Sequence, residues 1–309
     1  MSALSRPLCD YLRLRRSFGH DLADAHRLLP RFVDHMEAIG AEFVTIDAAV
    51  AWSLEPNAPP GSTVPARRMM AVRGFARYLA GVDPRTEIPP AGLIPSRRRW
   101  RATFIYSEAD IVALMAAARR LIPQPLRAAT YETLIGLLSA TGLRIGEAIK
   151  LDRGDIDWAE GVLLVRESKF HKSRLVPLQE SSLAALRRYA QTRDRLCPRP
   201  TDESFFVSLS GTRLIYVSVC KVFRMLCEES GVGAGSATPP RIHGIRHAFA
   251  VNVLLGWYRE DVDVQARLHS LSTYMGHRVP RFTFTYLSAT PELLAYAAGL
   301  LEAAREVRS

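Results

Sequence analysis

No run in this chain approaches the roughly 18 consecutive apolar residues of a membrane-spanning helix, and the opening MSALSRPLCDYLRLRR lacks the apolar stretch of a signal peptide. A soluble cytoplasmic protein with no membrane partner is therefore expected. Cysteine is scarce. Cys9, Cys197, Cys220 and Cys227 stand far apart or without CxxC pairing and have no neighbouring histidine ligands, which argues against a disulfide framework and a zinc knuckle and leaves reduced thiols as the simple reading. The chain has no GxxxxGK[ST] loop, no internal repeat and no low-complexity segment. Lysine is as scarce, with only Lys150, Lys169, Lys172 and Lys221 among 41 basic residues.

What is present is apolar material and arginine. The 309 residues are 48% hydrophobic and 23% charged, more than one core usually absorbs, so two domains are expected. The formal net charge of +10 favours a polyanionic partner, and guanidinium suits bidentate contacts with phosphate.

Residues from about Leu8 to Ile39 carry a helical period; TIDAAVAWSL offers Thr45 as a cap, and STVPARRMMAVRGFARYLAG offers Ser62 or Thr63. Residues 81–104 are rich in proline and arginine without periodicity and read as a linker. Its SRRRWR run, with Arg97, Arg98, Arg99 and Arg101, can follow a phosphate backbone or simply be solvated. The expected divisions are 1–90, a basic linker 91–104, and 105–309.

The second part opens with a capping-box start at Ser107 and Asp110, followed by a helix from about Leu126 to Ala140 that breaks at Thr141 and Gly142. Two strands, Val162–Arg166 and Arg174–Leu178, flank a basic turn; DRGDID reads as a turn before them. Further helices are expected at Ser181–Thr192, Val217–Ser230, His243–Tyr258, Val262–Met275 and Pro291–Val307. The expected fold is mostly α with a small antiparallel β-sheet.

Six polar positions interrupt these apolar patterns: Arg144, Lys169, His243, Arg246, His277 and Tyr286. Each alone has a plain reading, as a solvated first-turn or hairpin residue, a helix cap or a core aromatic. HGIRH has the i, i+4 histidine spacing of a zinc pair, but Gly244 occupies the position where that motif carries glutamate.

Taken together, ATGLRIGEAIKL, SKFHKSRLVPL, HGIRHAFA and MGHRVPRFTFTY resemble the boxes of the tyrosine recombinase, or phage integrase, family: TGLRxxE, a lysine hairpin, HxLRH, and LGH with tyrosine nine residues after the histidine. Ile245 and Met275 replace leucines, and neither change removes a reacting group. The resemblance covers about residues 105–290. It implies an integrase-type catalytic domain behind an N-terminal helical, SAM-like core-site-binding domain, the two closing as a clamp on double-stranded DNA. It further implies a homotetramer on two DNA sites, with related recombinases or accessory DNA-bending proteins as partners and C-terminal elements exchanged between neighbours. No cofactor and no metal are implied.

By that resemblance Tyr286 is the nucleophile and Arg144 and Arg246 hold the phosphate, to which His277 donates a hydrogen bond. His243 is the base, and Lys169, rather than Lys172, protonates the leaving oxygen. Glu147 orients Arg144 or sits plainly on the helix surface, and His247 supports the site. Lys172 and Arg174 are expected on DNA together with the linker arginines, and Phe282 and Phe284 are expected to anchor the segment carrying Tyr286. A type IB topoisomerase, or a DNA-binding regulator with a vestigial site, is the alternative.

Overall fold

The computed structural model describes residues 3–20, 22–55, 62–95, 103–168, 172–260, 262–277, 281–284, 286, 293 and 295. The chain separates into two compact units, residues 1–100 and 101–309.

The first unit contains four helices: α1 (Ser5–Ser17), α2 (Ala23–Ala38), α3 (Ile46–Leu54) and α4 (Val64–Leu79). The helical period between Leu8 and Ile39 is carried by two of these helices, α1 and α2. Thr45 caps α3, its hydroxyl accepting from the Ala48 N–H at 3.2 Å, while at the start of α4 the Ser62 hydroxyl accepts from the Val64 N–H at 3.2 Å. Leu29, Phe32, Met36, Val72 and Phe75 are fully buried at the centre, and the Phe32 ring meets the edge of Trp52 at 5.2 Å. The start of the proline-rich segment is tied to this unit, because Arg73 donates to the Pro89 carbonyl and the Glu87 N–H to the Val44 carbonyl. Arg97, Arg98, Arg99 and Arg101 lie outside the described residues.

In the second unit α5 (Glu108–Leu121) starts with the expected reciprocal capping box between Ser107 and Asp110, and α6 (Pro125–Thr141) packs along it. The short α7 (Ile145–Lys150) leads into a 3₁₀ turn at Arg153–Asp155 and a sheet of β1 (Ile156–Asp157), β2 (Val162–Ser168) and β3 (Lys172–Pro177), antiparallel in that order. The segment DRGDID therefore supplies a two-residue edge strand as well as a turn. Helices α8 (Glu180–Leu196), α9 (Tyr216–Ser230), α10 (Ile242–Arg259), α11 (Val264–Tyr274) and the single turn α12 (Arg281–Phe284) follow. Of the helix expected over Pro291–Val307, only positions 293 and 295 are described, both helical. Among the described residues no helix is long and apolar enough to cross a membrane.

The turn from α6 to α7 positions the first site residue. Gly142 ends α6 with φ +61°, and a Cβ there would fall 2.3 Å from the Phe249 ring on α10. Only glycine satisfies both the left-handed backbone and the close approach. Gly142→Ala is expected to destabilise this unit by at least about 2 kcal/mol, combining left-handed strain with the clash, and to lower Tm by roughly 5–10 °C in a thermal melt.

Candidate active site

Arg144 occupies the residue before α7, where the helix begins. Its N–H donates to Glu147 Oε2 at 3.0 Å and its Nη1 to Glu147 Oε1 at 2.7 Å. The arginine side chain has no acceptor, so the cap runs one way, from Glu147 back to the backbone. Glu147 is buried and also takes a bidentate pair from Arg174 on β3, at 3.1 and 2.9 Å. Burial works to raise its carboxyl pKa. The hydrogen bonds and charges of Arg174, joined by Arg144, outweigh this and bring it to about 2.

The end of α11 gathers the arginines. Its own turn closes as a Schellman motif, with the His277 N–H bonded to the Ser272 carbonyl and the Gly276 N–H, at φ +63°, to the Thr273 carbonyl. The next three carbonyls therefore lack helical partners. Each accepts from a different guanidinium: Tyr274 O from Arg174 Nε at 2.8 Å, Met275 O from Arg246 Nη2, and Gly276 O from Arg144 Nη2 at 3.0 Å. Arginines at a helix C-terminus also meet the negative end of its dipole.

Arg246 lies on α10 and is buried, 3% exposed. Its Nη1 donates to the Gly142 carbonyl at 2.6 Å and its Nη2 approaches His277 Nε2 at 3.2 Å. Burial, with the Arg144 charge, lowers its pKa to about 10, so it stays cationic at neutral pH. Because a guanidinium can only donate, His277 Nε2 accepts here and the ring hydrogen sits on Nδ1, facing the buried Thr283 hydroxyl at 2.8 Å.

Tyr286 is buried, 5% exposed, against two imidazoles: its ring centroid lies 5.2 Å from His247 and 6.0 Å from His277. His243 packs edge-on against His247 at 5.1 Å, one ring further from the tyrosine. Burial raises the phenol pKa while Arg246 and Arg144 pull it down, and it remains above its ordinary value. His243 is open to solvent yet surrounded by protein atoms, and this desolvation, with the Arg246 and Arg144 charges, lowers its pKa. His247 and His277 are each lowered to about 4, chiefly by burial and then by neighbouring positive groups.

These shifts have a consequence for stability. The unfolded chain binds protons on His247 and His277 below about pH 6.5, whereas the folded chain does so only near pH 4. Stability is thus highest above that window and falls as pH drops through it, by up to about 1.4 kcal/mol per pH unit for each histidine. Glu147 extends the loss as pH falls from 4.5 to about 2, where its folded carboxylate is finally protonated. Melts between pH 8 and pH 4 are expected to show Tm declining below pH 6.5; a flat profile contradicts these environments.

The structure brings together Arg144, His243, Arg246, His277 and Tyr286, the reacting groups that the resemblance implies, with Glu147 and His247, its supporting ones. Lys169 lies outside the described residues, as does the side chain of Lys172 on β3. Arg174, expected on DNA, instead turns inward: β3 alternates so that Arg174 shares a face with the buried Val176, while Leu175 between them is 66% exposed. Phe284, expected as an anchor, is half exposed, and of the two described side chains of that turn the buried one is Thr283. A single helical turn directs Thr283 toward His277; the Phe282 side chain is outside the described set.

The sequence model of the phage integrase family matches residues 105–292, more than half the chain, and the chain belongs to this family of tyrosine recombinases, enzymes that cleave and rejoin DNA strands. Among its relatives, the putative integrase/recombinase y4rB of Sinorhizobium fredii is 39% identical over the full length of both chains. The tyrosine recombinase XerD of Pseudomonas aeruginosa is 31% identical over 82% of this chain and 86% of its own. A solved structure of the Tn1549 transposon integrase in complex with transposon right end DNA shares the fold, with a TM-score of 0.69 over 98% of this chain and 99% of the other at 16% identity.

Proposed function

We propose that this chain binds duplex DNA as a site-specific recombinase of a mobile element, cutting and rejoining strands through a 3′-phosphotyrosyl link to Tyr286. The observation that carries this reading is the convergence of the Arg144 and Arg246 guanidiniums on the end of α11, beside the buried Tyr286.

In the proposed cleavage the Tyr286 oxygen attacks phosphorus, the bond to the 5′ oxygen breaks, and the phenol proton is lost as the leaving oxygen gains one. Arg144 and Arg246 oppose the charge that grows on the non-bridging oxygens, and preorganised donors of this kind commonly contribute the largest catalytic share. The phenol, held above its ordinary pKa, requires a base. His243 is assigned that role with His247 as the ring between it and Tyr286, both neutral at pH 7 because their pKa values are lowered. His277 donates to the phosphate once Nε2 carries the hydrogen, the tautomer opposite to the one set here by Arg246. Lys169 is assigned the proton for the 5′ oxygen. Attack by another strand's 5′ hydroxyl then releases Tyr286 and restores the phosphodiester, so the bond energy is conserved.

The N-terminal helical unit is assigned to core-site binding, with the linker arginines and Lys172 on phosphate, and four protomers on two sites complete the assembly. DNA in the solved complex of the Tn1549 integrase supports a duplex partner for a chain of this fold. Incubating the protein with two differently labelled copies of a duplex selected from a random-sequence library is expected to give exchanged products. Supercoil relaxation without exchange would instead identify a strand-relaxing enzyme.

A further inference from the structure

Glu147 is more fully engaged than one arginine requires. Oε1 accepts from Arg144 Nη1 and Arg174 Nη1, at 2.7 and 3.1 Å, and Oε2 from the Arg144 N–H and Arg174 Nη2, at 3.0 and 2.9 Å. Four donors saturate the lone pairs of a carboxylate. The two arginines also share a second anchor, since Tyr274 O holds Arg174 and Gly276 O holds Arg144 at the same helix end. A Cβ on Gly276 would lie 3.0 Å from Arg174 Nη1, so the guanidinium lies close against that turn.

From this geometry we infer that Arg174 is a positioning residue for Arg144, acting through Glu147 and the carbonyls that end α11; the inference rests on the recombinase reading above. Two effects follow from the contacts. Arg174 fixes both carboxylate oxygens, the same two that accept from the Arg144 Nη1 and N–H, so the Arg144 fork is held at one angle. Its charge also offsets Glu147. With one carboxylate between two guanidiniums, Arg144 keeps positive charge available to a phosphate; without Arg174, Glu147 neutralises Arg144 alone and leaves Tyr274 O without this donor. Lysine cannot substitute, because one ammonium cannot span both carboxylate oxygens and also reach the Tyr274 carbonyl.

The experiment uses the full-length chain and a suicide version of the duplex selected from a random-sequence library. The variants are Arg174→Ala, Arg174→Lys, Glu147→Gln and the Arg174→Lys/Glu147→Gln double, each measured for DNA Kd across salt, single-turnover adduct formation at saturating protein, and Tm. Positioning is expected to leave Kd within about threefold and the salt slope unchanged, while the adduct rate falls on the order of 100-fold. Arg174→Lys should fail to restore the rate, and the double variant should lose no more than the worse single one, because both act through one contact. A Kd weakened more than about tenfold with an unchanged saturated rate would show direct DNA contact and overturn the assignment. Full activity of Arg174→Lys, or losses that multiply in the double variant, would also overturn it. If Arg174→Ala melts below the assay temperature, the lysine and glutamine variants carry the same comparison. Wild-type protein that forms no adduct sinks the recombinase reading along with this one, whereas a wild-type adduct beside a fully active Arg174→Lys sinks this one alone.

Discussion

Tyr286→Phe is expected to abolish the covalent protein–DNA adduct, a loss on the order of 10⁴-fold or more, while leaving DNA affinity unchanged. The substitution removes one oxygen from a ring that is 5% exposed and packed against His247 and His277. The ring contacts survive in phenylalanine, so Tm is expected to stay within a few degrees of wild type. Phenylalanine offers no oxygen to phosphorus. Electrophoresis of the adduct on a suicide duplex measures the first outcome and fluorescence anisotropy the second. Loss of DNA binding together with the adduct would show that Tyr286 holds the fold or the DNA rather than attacking it.

Arg246→Lys is expected to have the second largest effect and to strike both stability and chemistry. Arg246 bridges two backbone carbonyls, Gly142 O at the end of α6 and Met275 O at the end of α11, and reaches His277 with the same fork. A lysine ammonium can serve one of these carbonyls and leaves the other buried without this partner. That costs about 1–3 kcal/mol for the orphaned acceptor, with more from placing a compact charge in a site shaped for a planar one. The melt is expected to shift down by several degrees. Adduct formation by the folded fraction should fall by about 10² to 10³, the usual consequence of removing one donor from developing charge. A variant that keeps wild-type Tm and rate would show that the two carbonyls are satisfied in some other way and that Arg246 is not part of the charge-stabilising set.

These expectations depend on contacts that the sequence revealed unevenly. Arg144, Arg246, His277 and Tyr286 were legible as a set because their order and spacing resemble the recombinase boxes, and two of them, Arg144 and His277, also follow glycines at positive φ, Gly142 and Gly276. The helices of the second unit were legible from local signals, their caps and 3.6-residue periods.

Contacts between segments distant in sequence were not. Arg174 is 27 residues from Glu147 and 100 from Tyr274, and in RLVP the apolar Leu175 invites an inward assignment that would leave Arg174 facing solvent. The strand takes the opposite phase, with Leu175 66% exposed, because pairing a buried carboxylate outweighs covering one leucine. Thr283 was obscured similarly, lying between two phenylalanines that looked like the anchors. Its role shows only once His277 Nδ1 is seen 2.8 Å from its hydroxyl. The ordering of the imidazoles, with His247 rather than His243 against Tyr286, depends on how α10 faces the segment after α11, which histidine spacing alone does not fix.

The central claim is that Tyr286 becomes joined to the 3′ end of a cut strand, and the most direct measurement is the mass of that junction. The covalent adduct trapped on the selected suicide duplex is digested with nuclease and trypsin, and its nucleotide-bearing peptide is fragmented. Trypsin leaves Tyr286 and Tyr296 in one peptide, since no arginine or lysine lies between Arg281 and Arg305, so the fragment ions must separate them. The expected result is a 3′-phosphonucleotide on Tyr286 with a free 5′ hydroxyl on the other strand end. A nucleotide on Tyr296, a 5′-phosphate linkage, or no adduct at all on a duplex the protein binds would contradict the account.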